Sequence, residues 1–361
     1  MGKRIRVALA GIGNAASAIV QGVYYYSDGK MPVGVMSEEI NGYKISDIEF
    51  VAAFDISSNK VGKDLADAIF ASPNITPKFA EVPKTGVEVK AGPIYDGVAP
   101  HMVESFSPVK YEGSEDDVVK TLIDSGADML INLLPVGSEE ATRSYARAAI
   151  RAGKAFINGI PVFIASDELW QKKFHEARLP VMGDDVKGQV GATILHRTLV
   201  SLFNMRGVMV DETYQVNIGG NTDFLNMTVE ERLKSKRISK TGAVTSVLPY
   251  GKELENNGKI RIGPSDYVQF LGNNKICYIY IKGKSFADFP VELKVKLSVD
   301  DKSMFAAVMT DAIRFMKVAL DNGLRGPLIE PSSYFFKHPP VQARSDEEAL
   351  SWALKWLNNL K

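Results

Sequence analysis

Through roughly the first two hundred residues, short apolar runs alternate with stretches whose apolar side chains recur every three or four positions. "IRVALA", Ile5 to Ala10, meets "GIGNAAS" and then the helical pattern "AIVQGVYYY", which reads as strand, glycine turn and helix. "IEFVAAF", Ile48 to Phe54, ends in Asp55, and "SSNKVGKDLADAIF" after it predicts a helix capped by Ser57 or Ser58. The segment from about 71 to 108 is rich in Pro, Gly and Lys and carries neither period. Helical "SEDDVVKTLIDSG" then leads into the strand "ADMLINLLP", and "SEEATRSYARAAIRAG" into "KAFINGIP". This alternation predicts an α/β fold with a parallel, doubly wound sheet, and the glycine turn between its first strand and helix makes that sheet of the dinucleotide-binding Rossmann type.

Beyond about Leu202 the period changes. "TYQVNIGG" and "ICYIYIKG" read as strands, and "VELKVKLSV" alternates Val291, Leu293, Val295, Leu297 and Val299 with polar residues. Period two means one face buried and one wet, as in a mainly antiparallel sheet. A helix over about Met304 to Asp321 follows, with Asn322 and Gly323 as its stop. The expected organisation is an α/β domain over 1–200 and 312–361, with an inserted α+β domain over 201–311 whose mainly antiparallel sheet has one face needing cover, which suits subunit assembly.

At 361 residues the chain exceeds the usual size of one core, in keeping with two domains. Its 43 basic and 43 acidic side chains cancel, so a nucleic-acid partner would need a local patch. Cys277 is the only cysteine, which excludes an intrachain disulfide and suits a reducing compartment; its apolar setting favours a buried structural thiol. No apolar run approaches the roughly 20 residues of a membrane span, and "MGKRIRVALAGIG" is a poor signal peptide. The expected location is the cytoplasm, with no membrane partner.

Gly11, Gly13, Asn14 and Ala15 belong to a G-x-G-x-x-A motif placed between a strand and a helix. In that context the first glycine makes the turn and the second admits a pyrophosphate. Asp55 closes the second strand, where a carboxylate bonds both hydroxyls of an adenosine ribose and repels a 2′-phosphate, favouring NAD over NADP. The spacing exceeds the usual twenty-odd residues by the loop from Asp28 to Asp47. A glycine turn without nucleotide, and Asp55 as a helix cap, is the plainer alternative. Asn132 and Pro135 end a strand at the same sheet edge, although Pro135 and Gly137 also suit a simple turn.

Charged residues supply the candidate chemistry. Asp184 and Asp185, after "LPVMG", could hold a metal, orient a cofactor or cap a helix. Asp223 follows a glycine pair, as either an Asx turn or a functional carboxylate would. "LKSKRISKTGAV" packs three lysines and an arginine into seven residues, and Lys236 and Lys240 share a helix face. Like charges so placed repel unless an anion or carboxylates lie between them. A solvated face competes with an anion site; nucleic acid is disfavoured because no aromatic platform accompanies the cations. None of the four histidines falls in a suggestive motif, so a lysine of depressed pKa is the natural acid and base.

"GIGNAASAIVQGVYYY", "VAAFDISSNKVGKDLADAIFAS", "LPVGSEEAT", "PVFIASD", "GDDVKGQVGATILHR", "NIGGNTDFLNM", "SKRISKTGAVTS" and "IGPSDYV" resemble the myo-inositol-1-phosphate synthase family in its shorter prokaryotic and archaeal form, and the likeness extends to "YFFKHPP" near 340. The resemblance implies an NAD-dependent isomerase that converts D-glucose 6-phosphate to 1L-myo-inositol 1-phosphate. In the mechanism that the resemblance implies, carbon 5 is oxidised, the 5-keto sugar enolises at carbon 6 and closes on the carbon 1 aldehyde, and the ring ketone is reduced again. A homotetramer is implied, as is a divalent metal or monovalent cation near the cofactor, though no His/Cys cluster here establishes a metal.

Carried over by resemblance, the site lysines are Lys236, Lys240, Lys275 and Lys337, and the carboxylates Asp185, Asp223 and Asp301. Lys236 and Lys337 would transfer the proton at oxygen 5 and hold substrate; Lys240 and Lys275 would face the phosphate or the developing oxyanion, with substrate phosphate an alternative acceptor for the carbon 6 proton. One departure is Gly188, where many relatives carry serine after the lysine of "GDDxK". A sugar-phosphate dehydrogenase that releases NADH, and a non-catalytic NAD-binding relative, are the competing readings; retention of these seven residues argues against the second.

Overall fold

The computed structural model describes residues 3–27 and 29–360, without the side chains of Pro264 and Ser265 in the "IGPSDYV" string. Its strands are, in chain order, β1 (Ile5–Ala10), the short pair β2 (Glu39–Ile40) and β3 (Tyr43–Lys44), β4 (Ile48–Asp55), β5 (Val89–Ala91), β6 (Met129–Asn132), β7 (Ala155–Asn158), β8 (Pro180–Met182), β9 (Met209–Gly219), β10 (Ile260–Tyr267), β11 (Asn274–Lys284), β12 (Pro290–Asp300) and β13 (Gly326–Pro327). The seven-stranded sheet, ordered β13-β8-β7-β6-β1-β4-β5, is parallel at every pairing. Asp28, where the expected long loop begins, lies outside the described residues; the rest of that loop carries the β2–β3 hairpin.

Both faces of this sheet are covered, which is why its strands read as unbroken apolar runs. In β1, Ile5, Val7 and Leu9 join the core beneath helices Asn14–Ser27 and Asp301–Asp321, whereas Ala8 and Ala10 face the core under Glu115–Asp124, Glu139–Ala152 and Glu168–Glu176. The second sheet runs β10-β9-β11-β12, with β9 parallel to β10 and antiparallel to β11, and β11 antiparallel to β12. Val291, Leu293, Val295 and Leu297 are only half-buried because β12 is an edge strand.

The two cores change hands somewhat earlier at both boundaries than the expected 201–311 insertion. Helix Ala192–Met205 already packs on the second sheet through Ala192, Val200 and Phe203, and helix Asp301–Asp321 joins the first core from Ala306 on. The helix expected after Asp55 is reduced to one turn, Leu65–Ala68, capped by Asp64 rather than Ser57 or Ser58. There, Asp55 Oδ1 accepts the N–H groups of Ile56 and Ser57 at 2.8 Å, and Gly62 takes a positive φ of 83°, which interrupts a helix.

Two polar ties, one buried and one partly buried, fix the edges of the cleft. Asp184, wholly buried, accepts from Asn158 Nδ2 (2.7 Å), the N–H groups of Ile164 and Ser166 (3.0 Å each) and Ala165 (3.1 Å), and Ser166 Oγ (2.7 Å). Asn158 in turn accepts from Asn132 Nδ2 at 2.8 Å, so the ends of β6, β7 and β8 are laced together. The second tie is Asp346, at the start of helix Asp346–Asn359, which accepts from Lys187 Nζ (2.8 Å) and Arg197 Nε (3.1 Å). Arg197 also donates to the carbonyl of Ala243 (2.8 Å) on helix Lys234–Thr245.

Asp184→Ala leaves buried donors from Ile164, Ala165 and Ser166 without an acceptor. The expected loss is about 3 kcal/mol or more of folding stability, read as a lower urea midpoint; an unchanged midpoint would refute the assignment.

Candidate active site

A cleft, partly open to solvent, lies where the C-terminal edge of the parallel sheet meets the second layer. One end is built from backbone. Gly11 turns sharply (φ +90°), its N–H bonds Phe54 O at 2.8 Å, and a Cβ there would stand 2.8 Å from Leu133 O. Only glycine fits. Gly13 faces open space, with nothing within 4 Å of an added Cβ, so the chain leaves a hollow at the start of helix Asn14–Ser27, where unpaired N–H groups favour an anion.

Asp55 Oδ2 accepts from Ile12 N at 2.7 Å, which fixes the carboxylate beside the turn, and the buried Lys60 lies 3.7 Å from it. Ala15 and Pro135 line the same end, and so does Asn14, whose side-chain oxygen accepts from Ile75 N at 2.7 Å and steadies the neighbouring loop. These residues fit a dinucleotide: a hollow over Gly13 for a pyrophosphate and a placed carboxylate for a ribose.

Asn132 and Asp184 do not join them. Asn132 is buried, donating to Thr142 Oγ1 and Asn158, and Asp184 is spent on the 164–166 turn. Both hold the sheet edge and neither lines the cleft. Asp184 and Asp185 also do not cap a helix directly, since the next helix starts at Ala192 with Gly191 before it.

The other end is charged. Asp185 adopts a left-handed conformation (φ +60°) that sends its carboxylate away from that of Asp184 and into the cleft. There Oδ1 accepts from Lys236 Nζ (3.0 Å) and Lys337 Nζ (2.9 Å), and Oδ2 from Ser239 Oγ (2.6 Å). Lys337 also donates to Val186 O at 2.6 Å. Opposite, Asp301 holds Lys275, and Lys302 lies 3.5 Å from Asp223 and 3.7 Å from Asp301. All seven residues carried over by resemblance therefore converge here.

Burial and charge sort these groups. Burial alone would raise the pKa of Asp185, but the Lys236 and Lys337 ammoniums reverse this and hold it well below the carboxylate range. Asp301 is held down likewise, by Lys275 and Lys302. For Lys236, burial favours the neutral form, yet Asp185 and Asp223 override it and raise the pKa. Lys337 is lowered to about 8, by burial first. Lys240 has no hydrogen-bonding acceptor among the described residues, and burial with the nearby Lys236, Lys275 and Lys337 charges lowers it to about 7.

Lys234 and Arg237 keep to the surface, Arg237 paired with Glu230. Cys277 is buried, its thiol pushed up to about 11, and no histidine lines the cleft among the described residues. Nor do these residues include a group of three or more His, Cys, Asp or Glu side chains placed to hold a metal ion. Sequence reasoning missed Ser239, Lys60 and Lys302. Ser239 lies one helical turn from Lys236, a spacing that could have flagged it.

The family profile of myo-inositol-1-phosphate synthase matches residues 191–302. An inositol-3-phosphate synthase of Corynebacterium glutamicum is 49% identical over 348 residues, 95% of each chain. One from Mycobacterium tuberculosis is 49% identical over 345 residues, covering 95% of this chain and 93% of the relative. The crystal structure of a myo-inositol-1-phosphate synthase-related protein from Thermotoga maritima superposes with a TM-score of 0.81 at 26% identity, covering 98% of both chains. With such identity sustained over nearly its whole length, the chain belongs to the myo-inositol-1-phosphate synthase family.

Proposed function

We propose that the chain is an inositol-3-phosphate synthase, isomerising D-glucose 6-phosphate to 1L-myo-inositol 1-phosphate with NAD held at the glycine end of the cleft. The observation that carries this reading is the convergence of Lys236, Lys240, Lys275 and Lys337 on a cleft whose opposite end is the Gly11 turn and Asp55. When bound there, NAD would supply a hydride acceptor for carbon 5 and, once reduced, the hydride donor for the ring ketone, so the reaction has no net redox change. Gly11, Gly13, Ala15, Asp55 and Pro135 are the residues that would hold it.

Lys240 is the general base for the hydroxyl on carbon 5. It is buried, lacks a carboxylate partner and is poised near neutrality, where proton transfer in both directions is most effective. Lys236 stays charged against Asp185, and Lys337 largely so; fixed ammoniums stabilise the oxygen of the enolate and then the aldol oxyanion. This redistributes the roles that the resemblance implies, because Asp185 binds the proton of Lys236 too firmly for a base. Lys275, held by Asp301, suits the phosphate, while Asp223 and Asp301 can accept hydrogen bonds from sugar hydroxyls.

The expected assembly is a cytoplasmic homotetramer. Phe286 and Phe289, exposed at the tip of β11 and β12, are apolar surface that subunit contact would cover. Among the described residues, no helix is long and apolar enough to cross a membrane.

Incubation with glucose 6-phosphate and NAD is expected to yield inositol phosphate without accumulating NADH; stoichiometric NADH would instead identify a dehydrogenase without cyclisation. For Lys240→Met, turnover is expected to fall by about 10²–10⁴ with NAD still bound. Because the base must be neutral, wild-type kcat/KM should drop as pH falls through about 7. A profile that declines above pH 7 would make Lys240 an obligate cation and sink its role as base.

A further inference from the structure

Lys302, in the first turn of helix Asp301–Asp321, is only 8% exposed and lines the cleft. It was not among the residues that the sequence singled out. Its ammonium stands between two carboxylates, 3.5 Å from Asp223 Oδ2 and 3.7 Å from Asp301 Oδ2, while Lys275 pairs with Asp301 from the other side. This wall therefore balances two positive against two negative charges.

Removing Lys302 would leave that wall with an excess negative charge facing the cavity. The opposite wall, with Lys236, Lys240 and Lys337 around Asp185, carries one or two net positive charges, depending on Lys240. With Lys302 present the whole site is positive in either state of Lys240. Without it the site is neutral whenever Lys240 is neutral, as the proposed base must be. Carboxylates are good acceptors for sugar hydroxyls and poor neighbours for a phosphate in a cavity of low dielectric.

Resting on the reaction proposed above, we infer that Lys302 is a specificity-determining residue: by completing, with Lys275, the neutralisation of Asp223 and Asp301 it lets one cleft bind hydroxyl groups through carboxylates and still admit a doubly charged phosphate ester. It acts through the field at the phosphate, so its loss weakens a dianionic ligand more than a monoanionic one of the same shape.

The test compares wild type, Lys302→Gln and Lys302→Arg, each loaded with NAD. Binding of glucose 6-phosphate and of glucose 6-sulfate, the same sugar with a single charge, is measured by calorimetry, and KM and kcat are measured alongside. In Lys302→Gln the phosphate is expected to weaken about tenfold, and the sulfate by less than about threefold. KM should rise more than kcat falls, and Lys302→Arg should restore the wild-type preference. An unchanged phosphate-to-sulfate ratio in Lys302→Gln, or an Arg variant as impaired as the Gln variant, overturns the inference. Wild-type protein that binds glucose 6-phosphate without converting it refutes the reaction alone, since the charge comparison is then still read from binding.

Discussion

The candidate site depends on one carboxylate. Buried ammonium groups close together repel and lose hydration, so a lysine-lined cleft is unstable unless a fixed counter-charge is placed among them. Asp185 is that charge. It takes two ammoniums and a hydroxyl on its side chain, and its own carbonyl accepts Lys337 N at 2.7 Å. Three stretches distant in sequence, at 185, 236–239 and 337, meet through this residue. The left-handed backbone that aims it is tolerated better by Asp than by most side chains.

From this tie follows a division of labour along the cleft. The cofactor end recognises its ligand with glycine geometry, a helix start and one carboxylate held by Ile12 N, and its shape is preformed. The opposite end is electrostatic, with lysines whose protonation is set by which carboxylate each one faces. Lys236 and Lys240, one helical turn apart, differ in their charged neighbours: Lys236 touches Asp185, has Asp223 nearby and keeps its proton, whereas Lys240 touches no carboxylate, lies among Lys236, Lys275 and Lys337 and sits near neutrality. Two residues of the same kind thereby acquire different chemistry from their partners.

Much of this architecture is legible in the chain. The apolar runs predict buried parallel strands because both faces of the sheet are covered, and the glycine turn lies where strand gives way to helix. The shared face of Lys236 and Lys240 follows from helical spacing. What could not be read was which neighbours face each other across distant segments. Asp184 and Asp185 are adjacent and chemically identical, yet the backbone sends one into the 164–166 turn and the other into the cleft. Lys302, following two aspartates at a helix start, looks like ordinary solvated charge until Asp223 is folded against it. The segment after Asp55 has helical apolar spacing, but local side-chain bonds to the backbone and the Gly62 turn prevail over it.

The Asp346 clasp sets a limit on how the chain can be re-cut. Helix Asp346–Asn359 supplies no atom to the cleft, yet through Asp346 and Arg197 it braces the helix that presents Lys236 and Lys240. A circular permutant opened in the loop around 28–47 keeps that brace covalently joined to Lys337. One opened between 338 and 345 makes the brace a terminal segment, and alignment of the lysines then depends on whether a free end stays docked.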